Sequence, residues 1–234
     1  PYHPLPSRLC VLGGIALDRD PNTMFGGRIA AELESRPQMR GVFIAFEGID
    51  GSGSTTQCAH LYHRLKDDAV DVVLTREPGG TPLGERLREA VLSPELDDVD
   101  SLAELLIIVG ARRQHAQQLI VPALARGKHV ISERYAASSV AYQGAGRGVE
   151  RNIVDRVNEL AVGDCSPDIV ILLDLNVELA LGRRKGQRED RIEAAGVEFQ
   201  MRVRESYCVQ AAADPEKWWL LDATQDEQKL SEVI

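Results

Sequence analysis

The sequence predicts an α/β protein in which a parallel β-sheet of five strands lies between two layers of helices. Five short apolar runs alternate with longer stretches in which apolar residues recur at helical spacing. Several of the runs are apolar without alternation, which is typical of parallel strands that helices cover on both faces. Residues able to bind ligands follow these runs, and the carboxyl ends of the strands are where such sheets bind ligands.

The composition limits the class of protein. A chain of 234 residues is long enough for one sizeable domain. Its net charge of −9 argues against a general binder of nucleic acids or membrane surfaces. No apolar run approaches the roughly 20 residues of a membrane span. The four cysteines form no C-x-x-C pair, so we expect reduced thiols in a cytoplasmic protein.

The chain divides into two parts of different character. Residues 1–38 contain scattered prolines and glycines with little periodicity, and they precede the first apolar strand. We therefore expect an N-terminal extension of unknown role that is dispensable for chemistry. Residues 39–234 carry the strands, the helices and every motif, so we expect them to form the folded domain.

The first strand leads into a candidate phosphate-binding loop. An apolar run, Val42–Phe46, is followed by a glycine-rich turn and then by a helix that begins near Thr55. Gly48, Gly53 and Thr55 match the template G-x-x-x-x-G-K-S/T, whose backbone N–H groups and helix N-terminus hold phosphates. Ser54 occupies the position of the template's lysine. Without that lysine, an ordinary strand-to-helix turn is the alternative reading.

The remaining elements alternate along the chain. The further strands are predicted at 71–75, 128–132, 168–174 and 217–222. The further helices are predicted at 82–92, 101–126, 150–162, from about 177, and at 197–212. Pro82 suits the first turn of its helix, and Pro122 predicts a kink in the long helix. The glycines between 143 and 148 predict a flexible loop.

Three groups of charged residues lie where the sheet would bind a ligand. Arg76 follows the second strand and could hold a phosphate through two hydrogen bonds, although a surface arginine is the alternative. Glu133 and Arg134 follow the third strand and suit magnesium plus phosphate, or a structural ion pair. The run 183–191 holds five basic residues. It would be either a solvated helix end or a mobile lid that brings charge to a transferring phosphoryl group.

Together these features resemble bacterial thymidylate kinases. The matching segments are F-E-G-I-D-G-S-G at 46–53, T-R-E-P-G-G-T at 75–81, E-R-Y at 133–135, S-S-V-A-Y-Q-G-A-G-R-G at 138–148 and D-R-I-E at 190–193. They occur in the family's order and spacing and cover nearly everything from Gly41 onward. The resemblance implies a three-layer P-loop kinase fold with sheet order 2-3-1-4-5. It also implies phosphoryl transfer from ATP to dTMP for dTTP biosynthesis, with Mg2+, by a homodimer that packs through long helices such as 101–126.

The resemblance implies a role for each matching residue. The expected ATP-binding residues are Gly48, Asp50, Gly51, Ser52, Gly53, Ser54, Thr55 and Thr56. The expected dTMP-binding residues are Asp50, Arg76, Ile108, Arg112, Arg134, Ser139, Tyr142 and Gln143. The expected catalytic residues are Glu133, Arg134, Arg188 and Arg191, and the expected metal-binding residues are Thr55 and Glu133. Arg188 and Arg191 would belong to a lid at about 183–196.

Within these sets the resemblance implies more specific contacts. Asp50 would reach the sugar hydroxyl and phosphate region of the nucleotide. Arg76 would hold the dTMP phosphate, and Arg134 would bridge the donor and acceptor phosphates. Arg112 would form a hydrogen bond with the thymine, and Tyr142 would help to exclude a 2′-hydroxyl.

Two positions depart from the family pattern and leave two alternatives open. Ile108 stands where the family usually has a phenylalanine that stacks on the thymine, and a base–aromatic stack is worth about 1–3 kcal/mol. This substitution permits a kinase for another deoxynucleoside monophosphate. Ser54 permits a catalytically weak relative that binds nucleotide and acts as a binding or regulatory protein. Arg76, Glu133 and Arg134 favour an enzyme.

Overall fold

The computed structural model describes residues 40–96, 98–186 and 189–234. It confirms a five-stranded parallel sheet, with the strand order β2-β3-β1-β4-β5 that the resemblance implied. The strands are β1 Phe43–Gly48, β2 Val72–Arg76, β3 His129–Glu133, β4 Ile169–Asp174 and β5 Trp218–Asp222. The residues 1–38 of the expected extension, together with Met39, lie outside the described residues.

Helices follow each strand, as the alternating pattern predicted. Along the described residues they are α1 Ser54–Asp67, α2 Pro82–Leu92, α3 Ser101–His115, α4 Val121–Ala125, α5 Ala136–Ser139, α6 Arg151–Val162, α7 Val177–Arg184, α8 Val197–Ala213 and α9 Glu227–Val233. Within the same ranges no helix is long and apolar enough to cross a membrane.

Helices cover both faces of the sheet, which explains the apolar run Phe43–Phe46 of its central strand. Every residue of β1 is buried. One face packs against α1 and α8 in a cluster that includes Ile44, Phe46, Leu61, Ile171 and Val203. The other face packs against the segment after α3 in a cluster that includes Phe43, Ala45, Ile120, Leu124 and Val130.

The structure differs from the sequence prediction in the long helix 101–126. The α-helix ends at His115, and a wider π-helical segment, Ala116–Ile120, separates it from α4. Pro122 lies in the first turn of α4. A proline has no N–H for the preceding turn and its ring needs room there, and the wider turn lies directly before it.

The prediction of a flexible loop at 143–148 is wrong for most of that segment. Val140–Gly146 form a π-helix, and Gln143, Gly144 and Gly146 are buried. A Cβ built on Gly146 would lie 2.5 Å from the Phe199 ring. The absent side chain therefore permits close packing against α8, and the pattern of glycines reflects this packing rather than flexibility.

Candidate active site

A cavity of about 530 Å³ opens at the carboxyl ends of the central strands. Its wall combines the turn after β1, the ends of β2 and β3, one side of α3, the end of α7 and residues 190–193. Most of the predicted site residues line it. These are Asp50, Gly51, Gly53, Ser54, Thr55, Thr56, Arg76, Ile108, Arg112, Glu133, Arg134, Ser139, Tyr142 and Gln143.

Among the described residues, three predicted site residues are not part of this lining. Gly48 and Ser52 lie within the turn itself, where a Cβ on Gly48 would be 2.6 Å from the Ser52 Oγ. Arg191 is nearly buried beside α2 and α3, where it donates to the Val91 carbonyl and pairs with Glu104 at 2.6 Å. A further predicted site residue, Arg188, lies outside the described ranges.

The turn between β1 and α1 has a backbone that only glycine adopts readily at two points. Gly51 has φ +88° and Gly53 has φ +96°, both in the left-handed region. Gly53 caps the N-terminus of α1, and open space lies where its side chain would be. The first N–H groups of a helix have no partner within it. Because Ser54, Thr55 and Thr56 line the cavity, this end of α1 is suited to bind an anion there.

The residues that begin α1 are tied to the end of β3. The hydroxyls of Ser54 and Thr55 both donate to Oε1 of Glu133, at 2.8 and 2.6 Å. Glu133 is held there because β3 lies beside β1, where Phe46 is its neighbour in register. A carboxylate and a threonine hydroxyl are oxygen ligands of the kind that magnesium takes when substrate phosphates complete its shell.

Arg134 is fixed at the centre of the cavity wall. Its guanidinium group donates to Asp50 at 2.6 Å and to the Gly48 carbonyl at 2.9 Å, and it lies 4.8 Å from the centre of the Tyr142 ring. Its φ of +65° is a left-handed conformation, which costs a non-glycine residue about 1–3 kcal/mol. These contacts hold it there. Burial raises the pKa of the Tyr142 hydroxyl, which stays protonated and donates to Asp50 at 3.0 Å.

The opposite end of the cavity is organised by Arg112, which is almost completely buried. It donates to Glu77 at 2.6 Å, to Ser139 at 2.8 Å, to Asn158 at 2.6 Å and to the Tyr135 carbonyl at 3.1 Å. These bonds use four of the five N–H groups of a guanidinium. The side chain is therefore held rigidly, with one N–H left for a ligand.

Two buried acids near this end were not assigned a role from the sequence. Glu77 joins Arg112 to His115, whose ring lies 2.9 Å from it. Glu104 accepts from Gln143 at 2.8 Å and pairs with Arg191, so it connects the cavity wall to the segment after α7. Glu77 lies inside the matching segment 75–81, which was the only sequence signal for it. Glu104 lies outside the matching segments, so no sequence signal assigned it to the site.

Comparison with known proteins decides the family. Residues 46–234 match the family model described as thymidylate kinase. The chain belongs to the thymidylate kinase family. It is 43% identical over 200 residues to a thymidylate kinase of Halothermothrix orenii, covering 84% of this chain and 95% of that one. It is also 43% identical over 197 residues to a thymidylate kinase of Pseudomonas fluorescens, covering 84% and 94%.

The solved structures agree with this assignment. The chain resembles the crystal structure of thymidylate kinase from Ehrlichia chaffeensis with a TM-score of 0.66 and 36% sequence identity, over 78% of this chain and 93% of that one. The P-loop kinase fold is therefore confirmed, and the chain is a member of a family of nucleoside monophosphate kinases. The comparisons do not favour a different acceptor or a catalytically weak relative.

Proposed function

We propose that this thymidylate kinase family member transfers the γ-phosphoryl group of ATP to dTMP, giving ADP and dTDP for dTTP synthesis. The observation that supports the proposal is that one cavity is lined both by the glycine-rich turn after β1 and by Arg76 and Arg134. Phosphoryl transfer depends mainly on positioning the two substrates and on stabilising charge. A shared cavity brings donor and acceptor together, and relatives 43% identical are thymidylate kinases.

We assign the ATP phosphates to the turn Gly48–Thr55 and the first turn of α1. The acceptor phosphate is assigned to Arg76 and Arg134. Arg76 is half exposed and donates to Glu85 at 2.8 Å, so its guanidinium is oriented but still open to a ligand. Asp50 belongs to the turn assigned to ATP, and its carboxylate pairs with Arg134. It therefore connects the two assigned phosphate regions.

We assign magnesium to the Thr55 hydroxyl and the Glu133 carboxylate, which already lie 2.6 Å apart. Oxygen ligands from a hydroxyl and one carboxylate, completed by phosphate oxygens and water, fit this ion. The bound ion would neutralise charge on the phosphates. The position of Glu133 at the end of β3 keeps its carboxylate beside the Thr55 hydroxyl.

We assign the acceptor base to the end of the cavity near Arg112. Ile108 lies one helical turn before it on α3, is 6% exposed and offers an apolar surface without a ring. Arg112 has one N–H left, and the amide of Gln143 is fixed by Glu104. We assign Tyr142 to the sugar; its hydroxyl donates to Asp50 and its ring lies against Arg134.

We propose a homodimer that forms through α3 and α6, which pack against each other. Leu102 and Leu106 on α3 are 40% and 52% exposed, and Leu160 on α6 is 78% exposed. Burial of such side chains stabilises an interface. We also propose a cytoplasmic location, since the described cysteines Cys58 and Cys165 are buried, free thiols.

The test is a steady-state assay of ADP formation by the full chain with ATP, Mg2+ and a panel of monophosphates: dTMP, dUMP, dCMP, dAMP and dGMP. We expect kcat/KM for dTMP to exceed that for each of the others by at least tenfold. A higher value for another monophosphate would establish the alternative acceptor. Nucleotide binding without turnover of any acceptor would establish a binding protein.

A further inference from the structure

The phosphate-binding turn lacks the cationic side chain that its template carries. Ser54 takes the lysine's position, and its hydroxyl donates to Glu133 instead of standing free in the cavity. A serine hydroxyl cannot neutralise a phosphate. ATP bound in the turn therefore needs a positive charge from another residue.

The end of α7 lies directly over this turn. A Cβ built on Gly51 would lie 2.6 Å from the Ala180 carbonyl oxygen and 3.2 Å from Cδ of Arg184. Arg183 donates to the Gly51 carbonyl at 3.4 Å and to the Ala223 carbonyl at 2.8 Å. These contacts place the Arg184 side chain against the turn.

Arg184 carries an unused hydrogen-bond donor at this place. It lines the cavity and is 8% exposed. One of its terminal nitrogens, Nη2, pairs with Glu193 at 2.5 Å. The other, Nη1, is buried and has no hydrogen-bond partner among the described residues, where it is the one buried side-chain nitrogen in that state. Leaving a buried charged donor unpaired is costly, so this atom indicates a missing ligand.

Two other arginines near the cavity, Arg134 and Arg191, are already engaged. Arg134 is bound to Asp50 and the Gly48 carbonyl. Arg191 is bound to Glu104 and the Val91 carbonyl. A phosphate oxygen would satisfy the donor of Arg184 with a charge-assisted hydrogen bond.

We propose that Arg184 binds the terminal phosphates of ATP and supplies the positive charge that the loop lysine supplies in the template. This inference rests on the proposed function, and it assigns the charge to one residue of the basic run 183–191. The Glu193 ion pair and the contact with Gly51 hold the guanidinium beside the turn before ATP binds. Arg184 therefore contributes to ground-state binding of ATP.

The test is calorimetric binding to the full chain, in Mg2+, of the non-hydrolysable ATP analogue AMPPNP and of AMP, which lacks the terminal phosphates. A charged hydrogen bond contributes about 1.5–3 kcal/mol, so we expect Arg184→Ala to raise the Kd of AMPPNP by about 10- to 100-fold. The Kd of AMP should change less than about threefold, and so should that of dTMP. Arg184→Lys should retain most of the affinity for AMPPNP, because it keeps the charge.

Two further variants separate phosphate binding from a structural role. Glu193→Gln weakens the same ion pair but keeps the cation, so AMPPNP should bind it far more tightly than Arg184→Ala. Ser54→Lys should recover most of the loss when it is combined with Arg184→Ala, because the lysine returns a charge to the turn. Such non-additivity is expected only where two side chains serve the same ligand. Arg151→Ala, on the exposed part of α6, is the matched control.

Several outcomes would overturn the proposal. Equal losses for AMPPNP and AMP, a loss in Glu193→Gln as large as in Arg184→Ala, or no recovery in the double variant would each show that Arg184 only supports the fold. If Arg184→Ala does not fold, Arg184→Gln shortens the group, removes the charge and allows the same comparison. Selective loss of AMPPNP binding in a chain that phosphorylates no monophosphate would support this proposal and refute the proposed function.

Discussion

The side chains of Thr55 and Glu133 meet at 2.6 Å, and they join the start of α1 to the end of β3. Residues 78 positions apart are brought together because β1 and β3 are neighbours in the sheet. The Ser54 hydroxyl adds a second donor to the same carboxylate oxygen at 2.8 Å. One carboxylate thus organises the turn and the assigned magnesium ligands.

This relationship predicts the effect of Glu133→Gln. The amide keeps the size of the side chain but removes the negative charge that would hold the ion. Loss of one preorganised electrostatic contact typically lowers kcat by about 10²–10³-fold, and we expect that loss here together with a higher Mg2+ concentration at half-maximal rate. Steady-state kinetics over a magnesium series measures both, with Glu159→Gln on the exposed face of α6 as the control. An unchanged magnesium requirement would contradict the assignment of Glu133.

The position of Arg76 predicts a selective effect on the acceptor substrate. Arg76 ends β2 and is the neighbour of Glu133 in register. Strand β3 therefore separates Arg76 from β1, which leads into α1. We expect Arg76→Ala to raise the KM for dTMP by at least about tenfold, with a much smaller effect on the KM for ATP, because a charged hydrogen bond to phosphate contributes about 1.5–3 kcal/mol. Arg86→Ala on α2 is a matched control, since its side chain is 80% exposed. Equal increases for the two substrates would show that Arg76 does not distinguish them.

The extent of the motifs predicts that residues 1–38 are dispensable for chemistry. The family model matches 46–234, and every described residue that lines the cavity lies in that range. A variant that begins at Met39 should therefore fold and keep kcat and both KM values within about threefold. Thermal unfolding and steady-state kinetics, run beside the full chain, check this. Failure to fold would show that the extension packs on the domain.

The strands and the position of the cavity could be anticipated because they depend on local patterns. The apolar runs and the turn Gly48–Thr55 are continuous in sequence, and parallel strands place their carboxyl ends at one edge. The residues that follow β2 and β3 were therefore expected to meet there. The resemblance added the strand order, which periodicity alone does not specify.

The hydrogen-bonded pairs of side chains within the site could not be anticipated in this way. Arg134 and Asp50 are 84 positions apart, and Arg112 and Glu77 are 35 apart. Such pairs depend on side-chain directions that no periodic pattern encodes. The basic run likewise indicated charge near the cavity, but only the fold separates Arg191, which is turned toward α3, from Arg184, which faces the turn.

A buried acid gives the last prediction, which concerns stability and pH. Glu47 is fully buried, and it accepts hydrogen bonds from the Tyr135 N–H at 2.9 Å, the Ser138 hydroxyl at 2.6 Å and the Tyr207 hydroxyl at 2.8 Å. Burial raises the pKa of this carboxyl above its usual value of 4.5, although the hydrogen bonds and Arg134 oppose that shift. The folded chain therefore keeps this proton to a higher pH than the unfolded chain does.

The sign of the pH dependence follows from this difference. Above pH 4.5, and up to the raised pKa, the folded state binds more protons than the unfolded state at this site. The contribution of Glu47 to the free energy of unfolding therefore falls as pH rises through that window. Glu47→Gln cannot ionise, so its stability relative to the natural chain should improve steadily between those limits.

Urea unfolding of the natural chain and of Glu47→Gln at a series of pH values from about 4.5 to 7.5 measures the difference in free energy. Glu159→Gln, which changes an exposed acid, should give a difference that is nearly constant with pH. A rising difference for Glu47→Gln identifies burial as the dominant influence on the carboxyl. Parallel curves would instead mean that Glu47 ionises alike in the folded and unfolded chains, with its three donors and Arg134 offsetting the cost of burial.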